Sequence, residues 1–292
     1  MELFDPSVLQ HLYKPKDDSH KGQNGKLLIV GGSHLFHAAS LWALKIASRI
    51  VDMVFYSSVP ENNAIVQKEK GEFRDGIVVP RKDLENYIEE GECVLIGPGM
   101  VRSAKQNISN FKFQISNLDQ VSEIADEGIQ TYCITKYLLL HYPRKKWVID
   151  GGALQMMDPM WLRGLSGNVI VTPHKKEFNT LFGVDPTDEN AKEMAKKYNC
   201  IVLLKGPYDI VCSPTRCVKV EGGNAGMTKG GTGDVLAGLV AALACKNDLF
   251  LAALAGSYIN KKAGDSLFAN VGYYFNASDL IDEIPHVMKE VL

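Results

Sequence analysis

A chain of 292 residues with 46% hydrophobic and 23% charged residues can bury a substantial core without covalent staples. Its net charge of -2 excludes a general electrostatic attraction to nucleic acid or to an anionic membrane surface. The opening MELFDPSVLQHLYKPKDD has no basic region ahead of an apolar core, and the longest apolar stretches are too short to span a bilayer. The expectation is a cytoplasmic protein with no nucleic-acid or membrane partner.

Residues 1–20 carry no clear element and read as an N-terminal extension. The run KLLIVGG at 26–32 predicts a buried strand, and the spacing of Leu, Ala and Ile predicts a helix over 37–50. Further strands are expected at 51–59, 93–97, 147–150 and 168–172, with helices at 119–127, 131–141 and 188–198. Continuous rather than alternating apolar runs suit a sheet covered on both faces. Strands alternating with helical patterns predict a mostly parallel central sheet flanked by helices on both sides, a three-layer α/β/α arrangement. Toward the C-terminus, 201–206, 209–213 and 217–222 read as a strand and a hairpin, followed by helices at 231–244, 249–264 and 277–291. No linker, repeat or low-complexity run divides the chain, so residues 1–292 are expected to form one domain. No element is assigned across 101–117.

Cysteines at 93, 133, 200, 212, 217 and 245 show neither a CxxC pair nor zinc-ligand spacing. Cys212 and Cys217 flank a turn and could face each other across a hairpin. In a reducing compartment all six are expected to be buried, unlinked thiols. His34 and His37 lie close together without a third ligand, so no metal site is assigned.

The segment with the most chemistry runs from Gly222 to Gly238 and contains Gly230-Gly231-Thr232-Gly233-Asp234. Dense glycine lets a backbone approach a ligand closely, and the apolar helix that follows would present unpaired N–H groups and its positive dipole end to an anion. Asp234, in the first helical turn, is a candidate general base if a substrate hydroxyl lies beside it; it could equally serve only as a helix-end residue. The run matches neither a P-loop nor a dinucleotide fingerprint. It resembles the anion-hole segment of the ribokinase-like superfamily.

Other segments sharpen that resemblance: Lys21-Gly22-Gln23-Asn24-Gly25, Gly31-Gly32-Ser33, Gly97-Pro98-Gly99, Asp150-Gly151-Gly152-Ala153-Leu154, Thr172-Pro173-His174 with Glu177, and Lys205-Gly206. In this order they look like the ADP/ATP-dependent NAD(P)H-hydrate dehydratase family, from about residue 21 to residue 290. The resemblance implies a ribokinase-like fold and repair of (6S)-NADHX or NADPHX, with ADP or ATP as phosphoryl donor and Mg²⁺ bridging nucleotide oxygens. It implies that Asp234 takes the hydroxyl proton and that the N–H groups of Gly231, Thr232 and Gly233 stabilise the transferring phosphoryl group. Ala39, Gly99, His174 and Asp234 match substrate-contacting positions. Lys205, Gly206, Pro207, Tyr208, Asp209 and Gly233 match nucleotide-contacting ones.

The chain departs from the family pattern at Ala38, where glycine is usual, and at Tyr208 and Asp209, which replace small and hydroxyl residues. These departures bear on the nucleotide contacts more than on the aspartate. The epimerase domain frequent at the N-terminus of the family has no counterpart, so a separate NAD(P)HX epimerase is the expected functional partner. A homo-oligomer, a tetramer by resemblance, is expected. The alternatives are a small-molecule kinase of the same superfamily, of the hydroxyethylthiazole or hydroxymethylpyrimidine type, and a catalytically idle nucleotide-binding protein.

Overall fold

The structure, a computed structural model, describes residues 1–69, 71, 73–104, 107–108 and 115–292. Part of the unassigned 101–117 stretch therefore lies outside the described residues. The strands are β1 (Glu2–Leu3), β2 (Lys26–Val30), β3 (Met53–Ser57), β4 (Ile77–Val78), β5 (Cys93–Ile96), β6 (Lys146–Ile149), β7 (Val169–Val171), β8 (Ile201–Leu204), β9 (Asp209–Cys212) and β10 (Cys217–Val220). They pair in one sheet in the order β1-β10-β9-β8-β7-β6-β5-β2-β3-β4. Only β9 runs against the others: it is antiparallel to both β8 and β10, and every other pairing is parallel.

The continuous apolar runs work as expected of a sheet covered on both faces. In β2, Leu27 and Ile29 enter one core cluster while Leu28 and Val30 enter the other, and in β5 Cys93 and Leu95 oppose Val94 and Ile96. The first cluster is completed by helices α1 (His37–Ala47), α9 (Thr232–Lys246), α10 (Leu249–Val271) and α11 (Ala277–Val291). The second is completed by α3 (Leu84–Glu90), α4 (Leu118–Ser122), α5 (Glu127–His141), α6 (Gly151–Met156), α7 (Lys175–Phe182) and α8 (Asp188–Tyr198). Helix α2 (Pro60–Glu69) follows β3. The result is the three-layer α/β/α arrangement. No helix among the described residues is long and apolar enough to cross a membrane.

Several details differ from the sequence expectation. The helix expected over 119–127 stops at Ser122, and a new one starts at Glu127 because the Asp126 side chain accepts from Ile129 N and caps it. Helix α10 continues past 264 to Val271, where Gly272 at φ 62° ends it. Within the N-terminal extension, Glu2 and Leu3 dock as an edge strand on β10.

The expectation of six unlinked thiols is corrected at one pair. Cys212 and Cys217 are direct partners in the β9–β10 register, 4.1 Å apart at Cα, and are joined as a disulfide. The hairpin turn places the two thiols together irrespective of the rest of the chain. Cys93, Cys133, Cys200 and Cys245 are free and buried.

Candidate active site

The loops that follow the parallel strands gather at one rim, outside the carboxyl ends of the sheet. Gly32 N donates to Pro98 O at 2.7 Å, and Gly97 N to Val30 O at 3.0 Å, tying the loop after β2 to the loop after β5. Gly97, at φ 122°, comes so near the loop after β6 that a Cβ there would lie 1.7 Å from Asp150 O. Only glycine fits that contact. The Lys21–Gly25 motif sits at the opposite end, ahead of β2, where Gly22 N and Asn24 N donate to the Asp52 carboxylate at 2.8 and 3.0 Å.

At the rim, three consecutive strands deliver charge. Lys205, after β8, places Nζ 2.8 Å from Asp150 Oδ1, after β6, and 3.9 Å from Glu177 Oε2 in α7. Thr172 Oγ1 donates to Asp150 Oδ1 at 2.7 Å, and Gln155 Nε2 to Glu177 Oε1 at 3.2 Å. His174 caps α7: its Nδ1 accepts from Lys176 N and Glu177 N, while Glu177 Oε2 accepts from His174 N in return. A neutral His174 accepting at Nδ1 carries its proton on Nε2. Burial opposes the charge on Lys205, but Asp150 and Glu177 outweigh it and hold the ammonium above its ordinary value. Burial also pushes Glu177 upward, with Asp150 adding to the effect and Lys205 pulling against it.

The glycine-rich segment meets this cluster from the other side. Thr232 opens α9, and its Oγ1 donates back to Met227 O and Lys229 O. Gly231 takes φ 97°, and a Cβ there would lie 2.4 Å from the Trp42 ring. Gly233 faces Lys205, whose Nζ would be 3.5 Å from a Cβ at that position. Asp234 lies in the first turn of α9. Burial is the main reason its carboxyl is raised from 3.8 to about 7; Asp150 and Glu177 add to the shift and Lys205 opposes it. A carboxyl poised there can hold or release a proton at neutral pH, which suits a general base.

A cavity of about 540 Å³ opens beside these groups. Of the residues singled out from the sequence, His174, Lys205, Gly206, Pro207, Asp209, Thr232 and Gly233 line it. Ala39 and Gly99 lie together on the other side of the rim, a Cβ on Gly99 meeting Ala39 Cβ at 3.1 Å. Tyr208 does not join the lining: it is 42% exposed, with Lys219 Nζ 4.4 Å from its ring centre. Asp209 contributes to the wall with its carboxylate occupied, accepting from Ser257 Oγ at 2.7 Å and Gly206 N at 3.0 Å and pairing with Lys261 Nζ at 3.3 Å. The partner of this unusual aspartate is thus a lysine on α10.

Asn224, inside the glycine-rich segment but given no role there, also lines the cavity, as do Asn260 and Lys261, which sequence reasoning missed. The available signal for Asn260 and Lys261 was a polar stripe at 257, 260, 261 and 265 in a helix whose first eight residues are apolar or small. No group of three or more His, Cys, Asp or Glu side chains among the described residues is placed to hold a metal ion. Asp150 and Glu177 are committed to Lys205, and Asp209, in the cavity wall, to Lys261 and Ser257.

Residues 27–286 match the family model described as NAD(P)H-hydrate dehydratase. The chain belongs to that family. It is 37% identical over 285 residues to the bifunctional NAD(P)H-hydrate repair enzyme of Methanocaldococcus jannaschii, covering 96% of this chain and 51% of that protein. It is 33% identical to the ADP-dependent (S)-NAD(P)H-hydrate dehydratase of Nitrosopumilus maritimus, covering 94% and 92%. The chain spans about half the length of the bifunctional relatives it matches. Among solved structures, a ribokinase-like protein of Enterococcus faecalis shares the fold with a TM-score of 0.81 at 21% identity, covering 99% of this chain and 96% of that one. The ADP/ATP-dependent NAD(P)H-hydrate dehydratase of Bacillus subtilis, co-crystallised with ATP and Mg²⁺, shares it with a TM-score of 0.75 at 22% identity, covering 100% and 99%. The family assignment therefore carries the ribokinase-like architecture with it.

Proposed function

We propose that this chain dehydrates (6S)-NADHX and NADPHX to NADH and NADPH, using ADP as phosphoryl donor and releasing AMP and phosphate. The observation that carries the reading is Asp234: a carboxyl raised to about 7, at the positive end of α9, beside the glycine loop and the Asp150–Lys205–Glu177 cluster. Asp234 takes the proton of the ring hydroxyl as its oxygen bonds to the terminal phosphorus of the donor, and AMP leaves. The C–O bond then breaks with help from the ring nitrogen lone pair, phosphate departs with the electron pair of that bond, and the adjacent ring carbon gives up a proton to solvent so that its C–H electrons form the ring double bond of NAD(P)H. Hydroxide is a poor leaving group and phosphate a good one. Backbone N–H groups of Gly231, Thr232 and Gly233 at the helix start favour the charge that builds on the transferring group.

In this reading Ala39, Gly99 and His174 face the hydrated dinucleotide, and the cavity along Lys205–Asp209 takes the donor. Residues 1–292 act as one domain, a reading supported by the single sheet that joins β1 to β10. The reading extends to a homo-oligomer and to a separate epimerase working on the same pool of hydrate.

The test mixes purified protein with NADHX, Mg²⁺ and either ADP or ATP and follows the absorbance of regenerated NADH. Nucleotide-dependent NADH formation that disappears in Asp234→Asn supports the reading and identifies the donor. Absence of NADH with both nucleotides, together with phosphorylation of a thiazole or pyrimidine alcohol, assigns the chain to the kinases instead. Nucleotide binding with neither reaction assigns it to the idle binding proteins.

A further inference from the structure

We propose that Asn260 reads the base of the donor nucleotide. This rests on the assignment of the 540 Å³ cavity to that donor. Helix α10 turns one face toward the cavity, carrying Ser257, Asn260, Lys261, Gly264 and Asp265 at helical spacing. Its other polar side chains hold walls. Ser257 and Lys261 fix Asp209, and Lys261 Nζ also reaches Gly206 O and Pro207 O at 3.2 and 3.3 Å. Asp265 accepts from Gly223 N at 3.0 Å and from Asn224 Nδ2 at 3.3 Å, fixing the loop after β10.

Asn260 stands between these anchors and holds nothing. It is 4% exposed and lines the cavity, and its Oδ1 is buried with no hydrogen-bond partner. A buried amide without a partner is costly, and a ligand that supplies both a donor and an acceptor removes that cost. The two ends of the cavity differ in chemistry. Lys205, Thr232 and Gly233, at the start of α9, form the anion end. The lining that this end shares with Asn260 also includes Pro207, Ala225, Met227 and Leu236, apolar groups suited to a flat heterocycle. A carboxamide pairs with the exocyclic amine and a neighbouring ring nitrogen of adenine, the pairing that amide side chains make with adenine edges in nucleic acids. Phosphates at α9 and base at α10 fit one nucleotide orientation.

Asn260→Leu keeps the side-chain size and removes both hydrogen-bonding groups; Asn260→Asp keeps acceptance and removes donation. ADP, GDP and 2′-deoxy-ADP are compared by calorimetric binding and by steady-state dehydration, with thermal melting to verify that each variant is folded. The expected result for Asn260→Leu is an ADP dissociation constant and KM raised roughly 10-fold or more, with kcat within about 2-fold. The preference for ADP over GDP should collapse by a similar factor, and the ratio of ADP to 2′-deoxy-ADP should stay as in the wild type. If Asn260→Leu folds poorly, Asn260→Asp must show the same loss of base preference in binding. An unchanged ADP-to-GDP ratio in a folded variant overturns the proposal, and so does an effect confined to the 2′-deoxy analogue. Failure of the dehydratase reading would look different: the wild type would bind ADP without forming NADH, and the calorimetric comparison would still decide the role of Asn260.

Discussion

Lys205 and Asp150 meet at 2.8 Å although they follow β8 and β6, two strands held apart by β7. Their ion pair closes over the end of β7, where Thr172 Oγ1 donates to the same Asp150 oxygen. One ammonium thereby faces Asp150, Glu177 and Asp234, and it works against burial at Glu177 and Asp234, favouring their ionised forms.

Replacing Lys205 with Met leaves those carboxylates without their shared cation. Breaking a mostly buried pair from one side should cost about 3–5 kcal/mol of stability. Because Lys205 holds Asp234 down, its loss should also move the acidic limb of the kcat/KM profile to higher pH. Denaturant unfolding checks the first effect and a pH–rate series the second. A destabilised variant with an unshifted limb would separate Lys205 from the titration of Asp234.

The Asp234 carboxyl gives stability and activity opposite pH slopes. Its value of about 7 exceeds the ordinary 3.8, so between roughly pH 4 and pH 7 the folded state retains a proton that the unfolded chain has lost. Stability from this group is full below that window and falls as pH rises through it. Activity requiring the ionised base should rise over the upper part of the same range. Asp234→Asn should lower activity by about 10²–10⁴-fold. It should also melt at higher temperature than the wild type at pH 8, by roughly 2–4 kcal/mol of stability, and nearly level with it at pH 4. Calorimetric melts of both proteins at the two pH values provide the comparison.

Gly231 stands where the chain cannot carry a side chain. At φ 97°, with the Trp42 ring 2.4 Å and Ala277 Cβ 2.8 Å from a would-be Cβ, Gly231→Ala must displace the loop or the ring. The expected outcome is a loss of kcat of at least about 10-fold, since shifted N–H donors stabilise developing charge poorly, with a smaller effect on nucleotide affinity. Single-turnover kinetics and ADP titration distinguish the two.

Lys146 supports α9 from its far end. Its Nζ donates to Ala244 O, Cys245 O and Asn247 O at 2.8, 3.4 and 3.0 Å, satisfying carbonyls that the helix leaves open and placing a cation at its negative end. Lys146→Met should lower stability by about 1–3 kcal/mol while leaving kcat unchanged at moderate temperature. Urea midpoints and initial rates measure both.

Much of this was legible in the sequence for identifiable reasons. The runs that became β2, β5, β6, β7 and β8 are buried on both faces and so stay apolar throughout, save for the opening Lys26 and Lys146. Helices α6 and α7, of six and eight residues, are too short for a periodic signal, and their N-caps are Asp150 and His174. The glycine loop and Asp234 are local features and could be read directly. The pairing of Asp209 with Lys261 could not, because it joins residues 52 positions apart and explains one unusual residue through another. Asn260 was hidden by company: in an apolar helix a single amide reads as tolerated polarity until its neighbours are seen to be occupied.

Reversed strand β9 carries the chain away from the rim it has reached at Lys205, and β10 returns it there to deliver Gly222 and Gly223 to the same place. As a result the wall of the large cavity is drawn mostly from one uninterrupted stretch of chain, from Lys205 to Lys261, whereas Ala39 and Gly99 come from the opposite half of the sequence. A segment exchange confined to residues 205–261 would therefore replace most of this wall together with Asp234, and leave the Ala39–Gly99 contact to the first half of the chain.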